Sequence, residues 1–316
     1  MRSLAGLLLG ALVAAAAPAP AAAWTRPAHM VTAAIAYDEI ERTRQALLEA
    51  LGSLLEAHPD RGPFQVAVDR STGAERRRRM FLECSRWPDD ARLTAYDHPS
   101  WHAALSPVVA ADTDAATRAR AARHGGPSGE ALEAFALNYR VLSDPRAPAA
   151  ERAVALCWVL HLVGDIHQPL HTAELFSSAY PEGDGGGARQ YVKDPITGEP
   201  IALHWLWDDS IHRSGVAAEA DARGRQIAAR LPRASLRELG APAGPQQFAA
   251  WAREESYPLA VATAFGAGAP TSPSPQAAPA VPGPYWDAVR RISERRVALA
   301  GYRMAELVIL AMDGSR

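Results

Sequence analysis

The strongest constraint on this chain is the stretch His161-Leu-Val-Gly-Asp165-Ile-His167-Gln-Pro-Leu-His171. It follows an apolar run, residues 154–160, that reads as the inside of a helix. His161 and Asp165 are four residues apart, so both project from one helical face, about one turn from each other. Val154, Cys157 and Gly164 fall on the same stripe, which places an imidazole and a carboxylate against a core. Leaving them unpaired there is costly, and a divalent metal would satisfy both with good geometry. Pro169 stops or kinks the helix, so His171 can turn back toward the first two. The plainer reading is a buried hydrogen bond between His161 and Asp165, with His167 and His171 at the surface. The rest of the chain has to decide between the two.

The 316 residues are 48% hydrophobic and 22% charged. That is a globular composition with enough length for one large core or two modest ones. A formal net charge of -2 argues against non-specific binding to duplex nucleic acid through a broad basic surface. The start reads as a secretory signal peptide over residues 1–23: Arg2, an apolar segment over 4–16, then Ala21-Ala22-Ala23 as a small-residue cleavage site. The apolar segment is too short to span a membrane, and no other stretch reads as a span. The expectation is export to a periplasm or the medium, with Trp24 as the mature N-terminus. Cys84 and Cys157 are the two cysteines, and in an oxidising compartment they could pair or stay free.

In order along the chain, residues 30–50 carry a helical pattern, broken at Asp60-Arg-Gly-Pro63. The run Glu75-Arg-Arg-Arg-Arg-Met80 leads into a helix and reads as a solvated face rather than a nucleic-acid patch. Trp87-Pro-Asp89-Asp90-Ala-Arg92 and a loop bearing Trp101-His102 come next. Residues 115–122 and 130–142 read as helices, and Asp144-Pro-Arg-Ala-Pro148 as the entry to the central one. Beyond His171, residues 190–193 and 200–203 can pair as a short hairpin around Thr197-Gly198. The glycine run at 183–187 is no phosphate loop, because Ala188-Arg189 stands where Lys-Ser/Thr is required. His204-Trp-Leu-Trp-Asp208 starts another helix and repeats the four-residue His/Asp spacing. Helices at about 245–264 and 285–312 flank a Pro/Ala/Ser/Gly-rich stretch, 266–284, expected to be an exposed, mobile loop. The fold class read from this pattern is all-α: one mostly helical domain over 24–316, with a short β-hairpin near 190–203.

Eight side chains have contexts suited to a metal: His29, Asp89, His102, His161, Asp165, His171, His204 and Asp208. Cleavage before Trp24 would add a free amine, whose pKa near 8 lets a metal displace its proton. With its own carbonyl, that amine could chelate a cation. Nitrogen and carboxylate donors without thiolates suit catalytic zinc. One tetrahedral ion cannot use so many, so two or three are implied. His58, His98, His124, His167 and His212 lack such contexts and read as structural or surface residues.

These motifs resemble those of the zinc-dependent single-strand nucleases, the S-one/P-one nuclease family, whose helical fold is shared with zinc-dependent phospholipases C. The resemblance runs from Trp24 to the Ala300-Gly-Tyr-Arg-Met-Ala305 helix. It rests on Trp24 followed five residues on by His29, on Trp87-Pro-Asp89 with Arg92 three residues later, on Trp101-His102, on His161-x3-Asp165-x5-His171, and on His204-x3-Asp208. By resemblance, one zinc would be held by Asp89, His102, His161 and Asp165. A second would take Trp24, His29 and Asp165, with Asp165 as the bridge, and a third His171, His204 and Asp208. Two ions so bridged can hold and acidify a water that attacks a phosphodiester, with Arg92 holding a non-bridging phosphate oxygen. Asp165 and Arg92 are thus the implied catalytic residues, Zn2+ the implied cofactor in three copies, and single-stranded nucleic acid or a nucleotide the implied substrate. The implied products carry 5′-phosphates, and 3′-phosphate removal from nucleotides is a companion activity. Thr25, Ala28, Ala103, Ala104, Leu105 and Ala188 depart from the family pattern around the substrate pocket. The competing readings are a phospholipase C on the same scaffold and a zinc-stabilised secreted binding protein without turnover.

Overall fold

A computed structural model describes residues 25–60, 71–124, 127, 129–266 and 269–314. The signal-peptide reading of residues 1–23 and the terminal Trp24 lie outside the described residues, as does most of the break at 60–63. In chain order the elements are helices α1 (Arg26–Arg44), α2 (Leu47–Glu56) and α3 (Gly73–Asp90), strand β1 (Ser106–Val109), helices α4 (Ala115–Arg123), α5 (Ala131–Ser143) and α6 (Ala149–His167), then strands β2 (Ala173–Phe176), β3 (Tyr191–Lys193) and β4 (Pro200–Ala202). Helices α7 (Leu203–Asp208), α8 (Ala217–Arg230), α9 (248–264, partly π-helical) and α10 (Gly283–Asp313) complete it. The all-α class holds, with two small two-stranded sheets added to it.

Helices α1 and α6 form the centre. Every residue from Pro27 to Tyr37 on α1 is buried, and so is every residue from Ala155 to His167 on α6. A helix enclosed on all sides cannot show a one-sided apolar stripe. Helix α1 is clasped by α3, α8 and α10, and α6 by α3, α5 and α10. Two glycines allow the closest approaches. A Cβ at Gly301 of α10 would lie 2.7 Å from Ile35 Cβ, and one at Gly224 of α8 would lie 2.8 Å from Ala34 Cβ. Both distances are shorter than packed carbons tolerate, so α8 and α10 sit against the α1 backbone itself.

The single helix expected over 30–50 is two helices. Residues 41–46 are exposed, and the chain turns there so that Leu47, Leu48, Leu51, Leu54 and Leu55 re-enter the core on α2. Helix α8 was not anticipated. Its buried positions are Ala217, Ala220, Gly224 and Ile227, a face of mostly small residues that hydropathy does not mark. The arginine run on α3 is neither bare solvent face nor open basic patch: Arg76 pairs with Glu56, Arg77 with Glu49, Arg78 with Asp38 and Asp221, and Arg79 with Glu83.

The hairpin forms as β3 and β4, antiparallel, with Val192 opposite Ile201. The loop expected over 266–284 is in part exposed but anchored to that hairpin: Ser272 bridges to Tyr191, Ala280 to Lys193, and Ala278 is buried. A parallel pair, β1 with β2, was not anticipated. Each strand is four residues long without alternation, so periodicity carries no signal. Strand β1 begins four residues after His102, and β2 two residues after His171, so this pairing ties two donor segments together. A Cys84–Cys157 disulfide joins α3 to α6 and settles the question left open by the sequence. No helix among the described residues is long and apolar enough to cross a membrane.

Candidate metal centre

All eight donor side chains named from the sequence come together, and each is at most 4% exposed. Helix α1 brings His29 through its buried first turns. Helix α3 brings Asp89 one residue after Pro88, near its last turn. The 3-10 turn Pro99–His102 brings His102, and α6 brings His161 and Asp165. The helix ends at His167 as Pro169 requires, and the 3-10 turn Pro169–His171 swings His171 back. Helix α7 brings His204 and Asp208.

The donors fall into three groups, the first two sharing His161, in each of which the donor atoms lie within 4.8 Å of one another: His29, Asp89 and His161; His102, His161 and Asp165; and His171, His204 and Asp208. Asp165 stands between the first two. Its Oδ1 is 3.2 Å from His29 Nε2, while its Oδ2 is 3.3 Å from His102 Nδ1 and 3.2 Å from His161 Nε2. No imidazole is aligned for a hydrogen bond, so both carboxylate oxygens lack a hydrogen-bond partner despite full burial. Asp89 Oδ1, Asp208 Oδ2 and both ring nitrogens of His29 are in the same condition. Buried polar groups are ordinarily satisfied, so this concentration of orphans in one place points to a cation.

The tautomers sharpen the point. His161 Nδ1 donates to the Ser85 carbonyl at 2.9 Å, His171 Nδ1 to the His102 carbonyl at 2.6 Å, and His204 Nδ1 to the Gly186 carbonyl at 2.7 Å. A neutral imidazole that donates from Nδ1 carries a lone pair on Nε2. His171 Nε2 and His204 Nε2 face each other at 3.1 Å, with Asp208 Oδ2 3.4 Å from the latter. Two lone pairs and a carboxylate so close repel unless positive charge lies between them. Burial pulls the His171 pKa down, so a proton is poorly held there. A metal ion meets the same need with the donors already oriented.

The charges of the site reflect this crowding of acceptors. Burial, followed by the charge of His161, pulls His29 down to about 4. Burial also acts to lower His161, but the Asp165 carboxylate outweighs it and holds that imidazole up at about 8. Burial would raise Asp165; the His161 charge and the surrounding imidazoles outweigh it and keep the carboxyl well below its usual range. For Asp208 burial outweighs the nearby His204 charge and the Gln168 hydrogen bond, and pushes the carboxyl well above the usual range.

Arg92 lies just past the end of α3, with Nη2 3.5 Å from Asp89 Oδ1. That nitrogen makes no hydrogen bond, so the pairing with Asp89 is loose and leaves a donor for something else. It lines a hollow of about 280 Å³ together with Asp89 and Arg26. The histidines set aside from the sequence lie apart from the donor set. His58 packs edge-on against Trp87, His98 stacks on Trp101, and His124 meets Phe176. His167 is buried, donating to the Val163 carbonyl and accepting from Arg303.

Sequence reasoning missed Gln168, whose Nε2 donates to Asp208 Oδ1 at 2.7 Å and aims that carboxylate. A glutamine inside the motif was visible, but its partner lies 40 residues away. It also missed Asp184, fully buried, which accepts from the Leu175 and Gly187 amides and from Gln190. That carboxylate shapes the glycine turn so that the Gly186 carbonyl reaches His204. The signal available was an aspartate set among glycines.

A helical scaffold closed over buried histidine and aspartate donors defines the class as a metal-centred all-α fold of the nuclease and phospholipase C type. The chain belongs to the S1/P1 nuclease family: the family described as S1/P1 Nuclease matches residues 24–313, nearly its whole length. Membership makes it a hydrolase of the nuclease kind, with nucleic acid as the implied substrate. A search of curated proteins finds no match.

Proposed function

We propose that the protein is an exported, zinc-dependent phosphodiesterase that hydrolyses single-stranded DNA and RNA to 5′-phosphorylated products, with 3′-nucleotidase activity as a companion. The observation that carries the metal reading is the facing pair of His171 and His204 Nε2 atoms, both made acceptors by their Nδ1 hydrogen bonds. By resemblance to the family three zinc ions would be held: one by Asp89, His102, His161 and Asp165; a second by His29, Asp165 and the Trp24 amine and carbonyl; the third by His171, His204 and Asp208. Zinc is favoured because every donor is nitrogen or oxygen and no thiolate is present in the cluster. Bound there, the ions would supply Lewis acidity and bring the pKa of water near neutrality.

The chain's own groups do the rest. The two oxygens of Asp165 face opposite donor sets, the arrangement a bridging carboxylate needs. The carbonyls of Ser85, His102 and Gly186 fix the rings, so little reorganisation accompanies reaction. Arg92, with its unused Nη2 beside Asp89, is placed to hold a non-bridging phosphate oxygen as charge grows. Ala103 and Leu105 offer no aromatic face, so base selectivity from that side is weak. Trp24 joins only as a free terminus, which ties activity to removal of the signal peptide.

The deciding experiment incubates the mature protein with single-stranded DNA, RNA and a phosphatidylcholine dispersion, with and without chelator. Chelator-sensitive release of 5′-nucleotides is expected. Release of phosphocholine alone, or binding without turnover, would overturn the proposal.

A further inference from the structure

We propose that Arg26 and Arg213 bind the phosphate group next to the one being cut, so that the hollow beside the metal centre is a flanking-phosphate subsite. The inference rests on the nuclease reading and extends it to which part of the strand is recognised. The hollow, about 280 Å³, is lined by Arg26, Arg92 and Arg213 together with Asp89, Asp209 and Thr25. Its walls are the neighbours of donors: Asp89 is one itself, Asp209 follows Asp208, and Thr25 follows Trp24. A strand laid with its reacting phosphate at Arg92 therefore runs through this hollow.

Arg26 and Arg213 both line the hollow, and each is held by an acidic partner. Arg26 lies at the start of α1, its Nε 2.7 Å from Asp90 Oδ1 and its Nη2 donating to the Asp89 carbonyl at 3.3 Å. It is still half exposed, at 49% of its side-chain surface. Arg213 clamps Asp194 through Nη1 at 2.7 Å and Nη2 at 3.2 Å. Its Nε is buried and makes no hydrogen bond, as is the case for Arg92 Nη2. Two buried, unused guanidinium N–H groups and one exposed, fixed guanidinium thus border a single hollow. A donor buried without an acceptor carries a desolvation cost, and a phosphate oxygen removes it with a charge-assisted bond. Asp90 and Asp194 serve as anchors that stop the guanidinium groups from swinging away. Asp209, 3.8 Å from Arg213 Nε, repels a phosphate oxygen and suits a sugar hydroxyl, which sets the phosphate toward Arg26 and Arg92.

Arg92 meets the scissile group, so the further cations have a separate purpose. A single-stranded chain carries a phosphate at every nucleotide, and a substrate with one phosphate cannot fill both places. The subsite favours cleavage within a chain over attack on a lone linkage.

The test compares trinucleotides whose cleaved linkage is flanked by either a phosphodiester or an uncharged methylphosphonate, with the neutral linkage placed on each side in turn. For the wild type, kcat/KM should be about tenfold higher with the charged flank on one side, the scale of one charge-assisted contact. In Arg26→Gln and in Arg213→Gln that ratio should fall toward one, with cleavage of the neutral-flank substrate changed by about twofold or less and bound metal unchanged. Arg26→Lys should keep part of the ratio. A tenfold ratio that survives in both glutamine variants overturns the subsite. So does an equal loss on both substrates, or loss of metal, which would make the arginines supports for Asp89. A wild type that cleaves both substrates equally fast sinks the subsite alone. A wild type that cleaves no oligonucleotide sinks the nuclease reading, and the subsite with it.

Discussion

The Asp208→Asn substitution separates a metal ligand from a structural carboxylate by the sign of its effect with and without metal. In the metal-free protein Asp208 is a fully buried carboxyl whose pKa is pushed well above the usual range by burial. It faces two ring nitrogens that are themselves acceptors, His204 Nε2 at 3.4 Å and His171 Nε2 at 3.8 Å. An asparagine there keeps an oxygen for the Gln168 amide and turns an N–H toward those lone pairs. Without metal the change should therefore be neutral or slightly stabilising. With metal the same change removes a charged ligand. An ion held at a hundredfold excess over its Kd contributes about 2.7 kcal/mol. At roughly 1.6 °C per kcal/mol for a chain of about 300 residues, one weakened site lowers the midpoint by about 4–5 °C. The assay is thermal unfolding of wild type and variant in zinc buffer and in chelator, with zinc counted by elemental analysis. Wild type and variant should unfold within about 1 °C of each other in chelator and about 4–5 °C apart in zinc. An equal drop in both buffers would refute the reasoning, because Asp208 would then be a structural partner of Gln168 and no ligand.

Three further outcomes are expected. Arg92→Ala should lower kcat by about 10²–10³ with metal content and thermal midpoint nearly unchanged; metal loss on elemental analysis would make Arg92 a support for Asp89 instead. Glu255 accepts from Arg303 and Arg296, both 3% exposed; burial would raise its pKa, but these guanidinium groups outweigh it and hold the carboxyl below its ordinary 4.5. A depressed folded pKa means the network stabilises fully above about pH 4.5 and weakens as the pH falls through the lowered value. Glu255→Gln should thus cost about 3 kcal/mol at neutral pH, by leaving two buried cations unpaired. The gap to wild type in denaturant titrations should shrink below pH 4.5, and a gap constant with pH would refute the assignment. The Cys84–Cys157 bond closes a loop of 73 residues, so replacing both cysteines by alanine should cost about 4 kcal/mol; a loss under about 1 kcal/mol would mean that packing alone holds α3 to α6.

Much of the centre was legible because its donors are paired at helical spacing. His161 with Asp165, and His204 with Asp208, declare a shared face whatever the tertiary structure, and Pro169 declares the turn that returns His171. What was not legible depends on contacts distant in sequence. The parallel β1–β2 pairing sets Ser106 against Ala173, and neither strand is long enough to carry a period. Helix α8 hides its buried face in alanine and glycine, because it packs against the α1 backbone, where larger side chains would not fit. The break between α1 and α2 has no glycine or proline, and only the shift of burial past Glu41 reveals it. Gln168 and Asp184 were invisible as site residues, since their work is to aim groups far along the chain.

The three rings that are oriented by Ser85, His102 and Gly186 are held by backbone carbonyls, not by side chains. Orientation is therefore stored in the path of the main chain, and side chains at the supporting positions are free to vary where the path survives. Serine at 85 should be exchangeable for another small residue with no effect on His161. Position 186 is the exception: its φ is +64°, and a Cβ would lie 2.5 Å from the Leu170 carbonyl oxygen, so only glycine can present that carbonyl to His204. A designer wishing to move this centre to another helical bundle would have to copy three stretches of backbone, and one glycine, along with the donors.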